Sequence, residues 1–178
     1  MELFEKTLSS NTVFDGKIIR VRKDKVLLPN GDTSFREVVD HNGGVCVAPL
    51  TDEGKLIFVR QFRYPYMEIV TELPAGKLEK GEDPHAAGLR ELSEETGYIA
   101  ERLKPLGILY PTPGYCGEKI YLYLAENMKK GEQRLDEDEF LSVEEIPLSN
   151  AVDMVMNGEI TDSKTQVLVL KIARILGV

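Results

Sequence analysis

GKLEKGEDPHAAGLRELSEETG, residues 76 to 97, decides the reading of this chain. Its fixed points are Gly76, Glu82, Arg90, Glu91, Leu92, Glu94, Glu95 and Gly97. Asp83 is a good helix N-cap, Pro84 suits the first helical position, and Gly97 suits the residue just past the last turn. These signals predict a helix over 84–96. At about 100° per residue, Glu91 and Glu95 lie one turn apart with Glu94 beside them, so the three carboxylates share a face. Leu89 and Leu92 lie roughly opposite and are expected in the core. Ala87, Gly88 and Pro84 are small residues on or near the acidic face and are expected to leave room for a ligand.

A bare acidic cluster is most simply a solvated helix face. Two features weigh against that here. Glycines bracket the segment, and the positions four residues after Glu91, Glu94 and Glu95 are Glu95, Tyr98 and Ile99, not basic residues. Arg90 stands four residues before Glu94 and can orient it. Clustered carboxylates repel one another unless a cation neutralises them. A cation held by hard oxygen ligands points to Mg2+ or Mn2+ and to phosphate chemistry.

Working outward, the N-terminal forty residues read as short strands. Alternating runs at 16–23 and 25–28 are followed by the turn Pro29-Asn30-Gly31-Asp32 and a strand over 34–40. Such a sheet is too small to stand alone. Strands are predicted at 43–49, 56–62, 69–73, 103–110, 119–126 and 140–143, with a break at Pro74-Ala75-Gly76. A helix capped by Ser149 is predicted over 150–157, and a final apolar helix is capped by Thr161 or Asp162. The order of elements indicates an α/β layered domain. Residues 1–40 form an N-terminal β-sheet region and 41–178 the main domain.

The 178 residues, 42% apolar and 29% charged, describe an ordinary soluble domain. A net charge of −8 argues against nonspecific nucleic-acid binding but leaves an anionic substrate open, because a metal and a few arginines invert the local field. Neither a membrane span nor a signal peptide is expected, since MELFEKTLSS lacks a basic start and an apolar core. Cys46 and Cys116 fit no metal or redox spacing. A cytoplasmic protein with free thiols is the simplest reading.

The pattern Gly76-x5-Glu82-x7-Arg90-Glu91-Leu92-x-Glu94-Glu95-x-Gly97 resembles the Nudix box at all eight fixed positions. Tyr98 departs from the aliphatic residue usual there. The resemblance implies a Nudix-type α/β/α sandwich with a mixed sheet, plus the small N-terminal antiparallel sheet. It implies hydrolysis of a nucleoside diphosphate linked to another moiety. Carried over residue by residue, Glu91 and Glu95 are metal ligands, with the Ala75 carbonyl as another. Glu94 is a ligand or a positioning base, and Arg90 and Glu82 brace the helix and loop. The metal implied is Mg2+, with Mn2+ as the substitute.

Other segments resemble the ADP-ribose pyrophosphatase subgroup. Pro113 falls sixteen residues after Gly97, in Pro111-Thr112-Pro113-Gly114. Phe35-Arg36-Glu37, Arg60-Gln61-Phe62-Arg63 and Glu72-Leu73-Pro74-Ala75-Gly76 are similar to the corresponding segments of that subgroup. Arg36 and Arg63 become candidates for phosphate contacts, Arg60 less so, with Glu72, Pro113 and Gly114 as further substrate residues. Phe35, Tyr64, Tyr66 and Tyr115 are the aromatics available to an adenine. In the acidic run 136–139, Glu139 is the first choice and Glu137 the second for the water-activating carboxylate. The resemblance also implies a homodimer whose N-terminal sheets cross to the partner.

The implied reaction is Mg2+-dependent hydrolysis of ADP-ribose to AMP and ribose 5-phosphate. Two alternatives stay open: another nucleotide sugar or a dinucleoside polyphosphate as substrate, and a non-catalytic ADP-ribose-sensing module.

Overall fold

In the computed structural model every residue is described except Met1, Glu2, Asp136 and Asp138. The chain divides into two compact units. The first comprises residues 1–43 with 110–119, and the second comprises residues 44–109 with 120–178.

The first unit is a three-stranded antiparallel sheet: β1 (Lys6–Asp15), β2 (Arg20–Leu27) and β3 (Thr33–Asp40), in that order. β1 was not expected. Its sequence KTLSSNTVFD carries no apolar alternation, and all ten residues are exposed. Its strand character comes from pairing with β2, from Lys6 opposite Leu27 to Asp15 opposite Arg20, not from its own pattern. Of the run predicted as strand over 16–23, residues 16–19 are the connecting turn, where the Gly16 amide donates to the Ile19 carbonyl at 3.0 Å, and Arg20 opens β2. Segment 110–119 joins β3 through Val39, whose amide donates to Tyr115 and whose carbonyl accepts from Gly117.

The second unit holds the α/β/α layers. Its central sheet runs β7 (Ala75–Lys77), β4 (Gly44–Pro49), β10 (Ile120–Ala125), β9 (Leu103–Leu109). β4 and β10 are parallel and the other pairs antiparallel, so the sheet is mixed. All six residues of β4 are buried, as a strand covered on both faces requires. Val45 and Val47 pack with Ala87 and Leu92 of α1 (Pro84–Thr96). Cys46 and Ala48 face the other way, onto Leu168, Val169 and Ile172 of α3 (Ser163–Leu176). Fully burying side chains such as Leu92 and Leu168 contributes about 1.5–3 kcal/mol each.

A second sheet runs β12 (Leu141–Pro147), β5 (Lys55–Arg63), β6 (Glu68–Glu72). A two-stranded ribbon pairs β8 (Tyr98–Ile99) with β11 (Lys129–Lys130). The predicted break at Pro74-Ala75-Gly76 is in part the short strand β7, which pairs with β4 from Ala75 on. α2 spans Leu148–Met156 and begins after Pro147 with no side-chain cap, so Ser149 lies inside the helix and does not cap it. No helix among the described residues is long and apolar enough to cross a membrane.

Candidate functional site: a carboxylate helix against a short strand

α1 forms where its caps predict. Asp83 accepts from the Ala86 amide at 3.0 Å, and Gly97 ends the helix at φ 73°. Pairing with β4 lays β7 against this helix. The Ala75 amide donates to Glu95 Oε2 at 3.0 Å. At Gly76 the backbone meets Glu91 directly, and any Cβ there would overlap the Glu91 carboxylate. The opening glycine of the segment is thus required by close approach, since its φ is not in the left-handed range.

Two charged side chains are therefore held out of water. Burial raises the Glu91 carboxyl above its ordinary range, the Arg90 charge opposes the rise, and Glu94 and Glu139 add to it. Burial pushes Glu95 up to about 8; the Ala75 amide and Arg63 oppose this, while Glu91 and Glu139 reinforce it. Glu139 is half-buried and Glu137 exposed, whereas Asp136 and Asp138 of the same predicted acidic run lie outside the described residues.

Arg90 serves three carboxylates. It donates to Glu82 from Nε at 3.1 Å and from Nη2 at 3.2 Å, while Nη1 lies 2.9 Å from both Glu91 and Glu94. Glu82 accepts from the Glu79 amide at 2.9 Å, which ties the preceding loop to the helix. Glu94 is the most open of the helix carboxylates, with its side chain 38% exposed.

Beside this cluster lies a buried charge network. Arg63 donates from Nε and Nη2 to the two oxygens of Glu72, each at 2.6 Å. Glu72, 2% exposed, also accepts from Lys164 Nζ at 2.5 Å, and Lys164 reaches Asp162 at 2.9 Å. Burial opposes ionisation of Glu72, but the Arg63 hydrogen bonds and the Lys164 charge outweigh it and hold the carboxyl below its ordinary range. The Arg63 charge is felt at Glu95, so the network borders the carboxylate pair.

The expectation that Ala87 and Gly88 open space for a ligand is incorrect. Ala87 is fully buried in the α1 core, and a Cβ at Gly88 would come within 2.7 Å of the Leu103 side chain. Small residues there let the helix sit close to the sheet. Arg60 lines a separate open groove of about 530 Å³ with Glu68, Thr71, Glu144, Glu159 and Thr161, none of them a residue of the carboxylate cluster.

The remaining predicted substrate residues belong to the first unit. Arg36 donates from Nε at 2.9 Å and Nη2 at 2.6 Å to Glu5. Phe35 is exposed, with the Lys23 ammonium 4.9 Å from its ring centroid. Pro113 and Gly114 are exposed in the turn closed by Thr112.

Lys164 and Gln133 were missed from sequence. Lys164 left one trace: it falls in the first turn of α3, where the helix dipole disfavours a cation unless an anion holds it. Gln133 left none, since its partner is the backbone carbonyl of Glu95.

Among the described residues no group of three or more His, Cys, Asp or Glu side chains is gathered to hold a metal ion. The donor set still fits Mg2+. That ion keeps several waters and is typically held by one or two carboxylates together with substrate phosphates. Glu91 and Glu95 supply such a pair, and burial raises both carboxyls above their ordinary range, so a bound cation would favour their ionised forms.

Comparison with known proteins matches residues 40–169 to the NUDIX domain and residues 5–39 to the nucleoside diphosphate sugar hydrolase N-terminal domain. The chain is 47% identical to an ADP-ribose pyrophosphatase of Bacillus subtilis, covering 92% of this chain and 89% of that protein. It is 44% identical to a methanol dehydrogenase activator of Bacillus methanolicus, covering 93% and 90%. A crystal structure of an ADP compounds hydrolase superposes with a TM-score of 0.87 over 97% of this chain and 94% of that one; at 23% identity this concerns the fold.

Proposed function

The chain belongs to the NUDIX domain family, and we propose that within it the chain is a divalent-cation-dependent hydrolase of ADP-ribose. Water cleaves the pyrophosphate bond, giving AMP and ribose 5-phosphate. The observation that carries this reading is the buried pair Glu91 and Glu95, pressed against Gly76 and Ala75. The substrate rests on the close similarity to a protein named for that activity.

In this reading Glu91, Glu95 and the Ala75 carbonyl would hold Mg2+, or Mn2+ in its place, with Glu94 as a further ligand or positioning base. When bound, such an ion would supply charge neutralisation for the pyrophosphate and Lewis-acid activation of water. Glu139, with Glu137 as second choice, takes the proton of the attacking water. Arg63 anchors the diphosphate through Nη1, the nitrogen its fork does not commit to Glu72. Glu72 acts through Arg63, and Arg90 holds Glu82, Glu91 and Glu94 in register. Arg36, Phe35, Pro113 and Gly114, all in the first unit, are the further proposed substrate residues.

A homodimer built through the N-terminal sheet is part of the proposal. Leu8, Val13 and Phe14 are exposed on β1 of the isolated protomer, and a partner would cover them. Residues 1–40 and 41–178 then act as dimerisation region and catalytic domain. A cytoplasmic setting agrees with the two free cysteines.

The test is product analysis over a panel of ADP-ribose, GDP-mannose and diadenosine polyphosphates. AMP and ribose 5-phosphate should form fastest from ADP-ribose. Equal or faster cleavage of GDP-mannose transfers the assignment to the nucleotide-sugar alternative. Binding of ADP-ribose in Mg2+ with no AMP released would favour a non-catalytic sensor.

A further inference from the structure

The N-terminus of α3 grips the strand that leads into the carboxylate site at two adjacent residues. Lys164 Nζ donates to Glu72, and Thr165 Oγ1 accepts from the Leu73 amide at 2.9 Å. Both side chains are organised by one residue. Asp162 accepts from Lys164 Nζ at 2.9 Å, from the Thr165 hydroxyl at 2.6 Å and from the Thr165 amide at 2.9 Å. The side chains of Lys164 and Glu72 are only 12% and 2% exposed, so this is an interior charge pair and not a surface bridge.

Stability alone is a weak reason for such a pair, because apolar residues often replace a whole buried ion pair without loss. The other contacts of Glu72 show what the lysine acts on. The second partner of Glu72 is Arg63, whose fork takes both carboxylate oxygens. With Lys164 on Oε2, the carboxylate cannot rotate to follow Arg63, and the guanidinium is fixed in one orientation.

We propose that Lys164 is a positioning residue for substrate binding: it locks Glu72, and through Glu72 it aims the Arg63 guanidinium at the diphosphate of the substrate. This rests on the assignment of Arg63 to the diphosphate made above. Lys164 touches neither substrate nor metal in this account. Its loss should therefore weaken ground-state and transition-state binding alike and leave the chemical step in place.

A double-mutant cycle on the full-length chain with Mg2+ tests this. Lys164→Met should raise KM for ADP-ribose about tenfold with kcat nearly unchanged, as expected for a lost charged hydrogen bond. Lys164→Arg should restore most of the loss. In an Arg63→Ala background the Lys164→Met change should add nothing further to KM, because the two act through one contact. Additive effects, or a fall in kcat at constant KM, would overturn the proposal. If Lys164→Met does not fold, Lys164→Gln, which is one atom shorter, removes the charge and keeps an amide NH2 donor, enters the same cycle with the same criteria. Should Arg63→Ala by itself leave KM unchanged, the diphosphate assignment of Arg63 fails, and the positioning proposal falls with it. A raised KM in Arg63→Ala with wild-type KM in Lys164→Met removes the positioning proposal alone.

Discussion

The carboxylate of Glu91 occupies the volume that a side chain on Gly76 would need. The strand residue and the helix residue are fifteen positions apart and meet with no spare room. Gly76→Ala should therefore displace Glu91, β7, or both. Overpacking of this kind costs about 1–3 kcal/mol of stability. The catalytic loss should be larger in proportion, about a hundredfold in kcat, because a shift near 1 Å at a positioned group has that effect. A folded Gly76→Ala protein with wild-type kcat would show that Glu91 has no fixed role.

Glu95 predicts a pH dependence of opposite sign for stability and for metal binding. Its carboxyl stands at about 8 in the folded metal-free chain, well above an unfolded glutamate. The contribution to stability is complete below the unfolded value near 4.5 and is lost as pH rises through about 8. In EDTA, Tm should fall between pH 5 and pH 8.5. Mg2+ binds the ionised form, so the rise in Tm on adding Mg2+ should grow over the same interval. Glu95→Gln should flatten both trends and nearly abolish turnover, and a flat wild-type profile would remove Glu95 as the titrating group.

Arg90 is one cation among Glu82, Glu91 and Glu94. A lysine offers a point charge and cannot serve three carboxylates from a planar fork. Arg90→Lys should lower stability by about 1.5–3 kcal/mol, the range for hydrogen bonds to charged groups. A divalent cation on the same carboxylates supplies charge the variant lacks, so the difference in urea midpoint should narrow in Mg2+. An unchanged difference would mean that the Arg90 contacts are independent of the metal site.

What the sequence disclosed follows from where its signals reside. α1 was legible to the residue because Asp83, Pro84 and Gly97 are local signals, and Arg90 with Glu94 followed from helical spacing. β1 was not, because its exposed residues carry no pattern and its partner strand supplies the pairing. Ala87 and Gly88 were misread because a wheel shows which residues share a face but not what that face meets. The Arg63, Glu72 and Lys164 network joins β5, β6 and α3, and ninety-two positions separate its lysine from its carboxylate. No window on the sequence spans that distance. The network exists only once α3 docks.

The loop that bears Glu139 is registered to α1 through backbone contacts. Four carbonyls at a helix C-terminus lack helical partners. Here the Arg134 amide donates to Glu94, the Gln133 side chain to Glu95 and the Gly131 amide to Gly97, at 3.0, 2.6 and 2.7 Å. A Cβ at Gly97 would come within 2.9 Å of the Gln133 nitrogen, so the closing glycine also admits this loop. The base of the loop is thereby fixed to the same turn that presents Glu94 and Glu95. Removing the side-chain contact with Gln133→Ala should loosen that register and lower kcat by about tenfold, with KM little changed, because the contact is remote from the substrate. Glu139→Gln should cost about 10²–10⁴ in kcat, the range for a general base, and Glu137→Gln far less. The reverse ranking would transfer the role to Glu137, and loss from neither would place the base outside this loop.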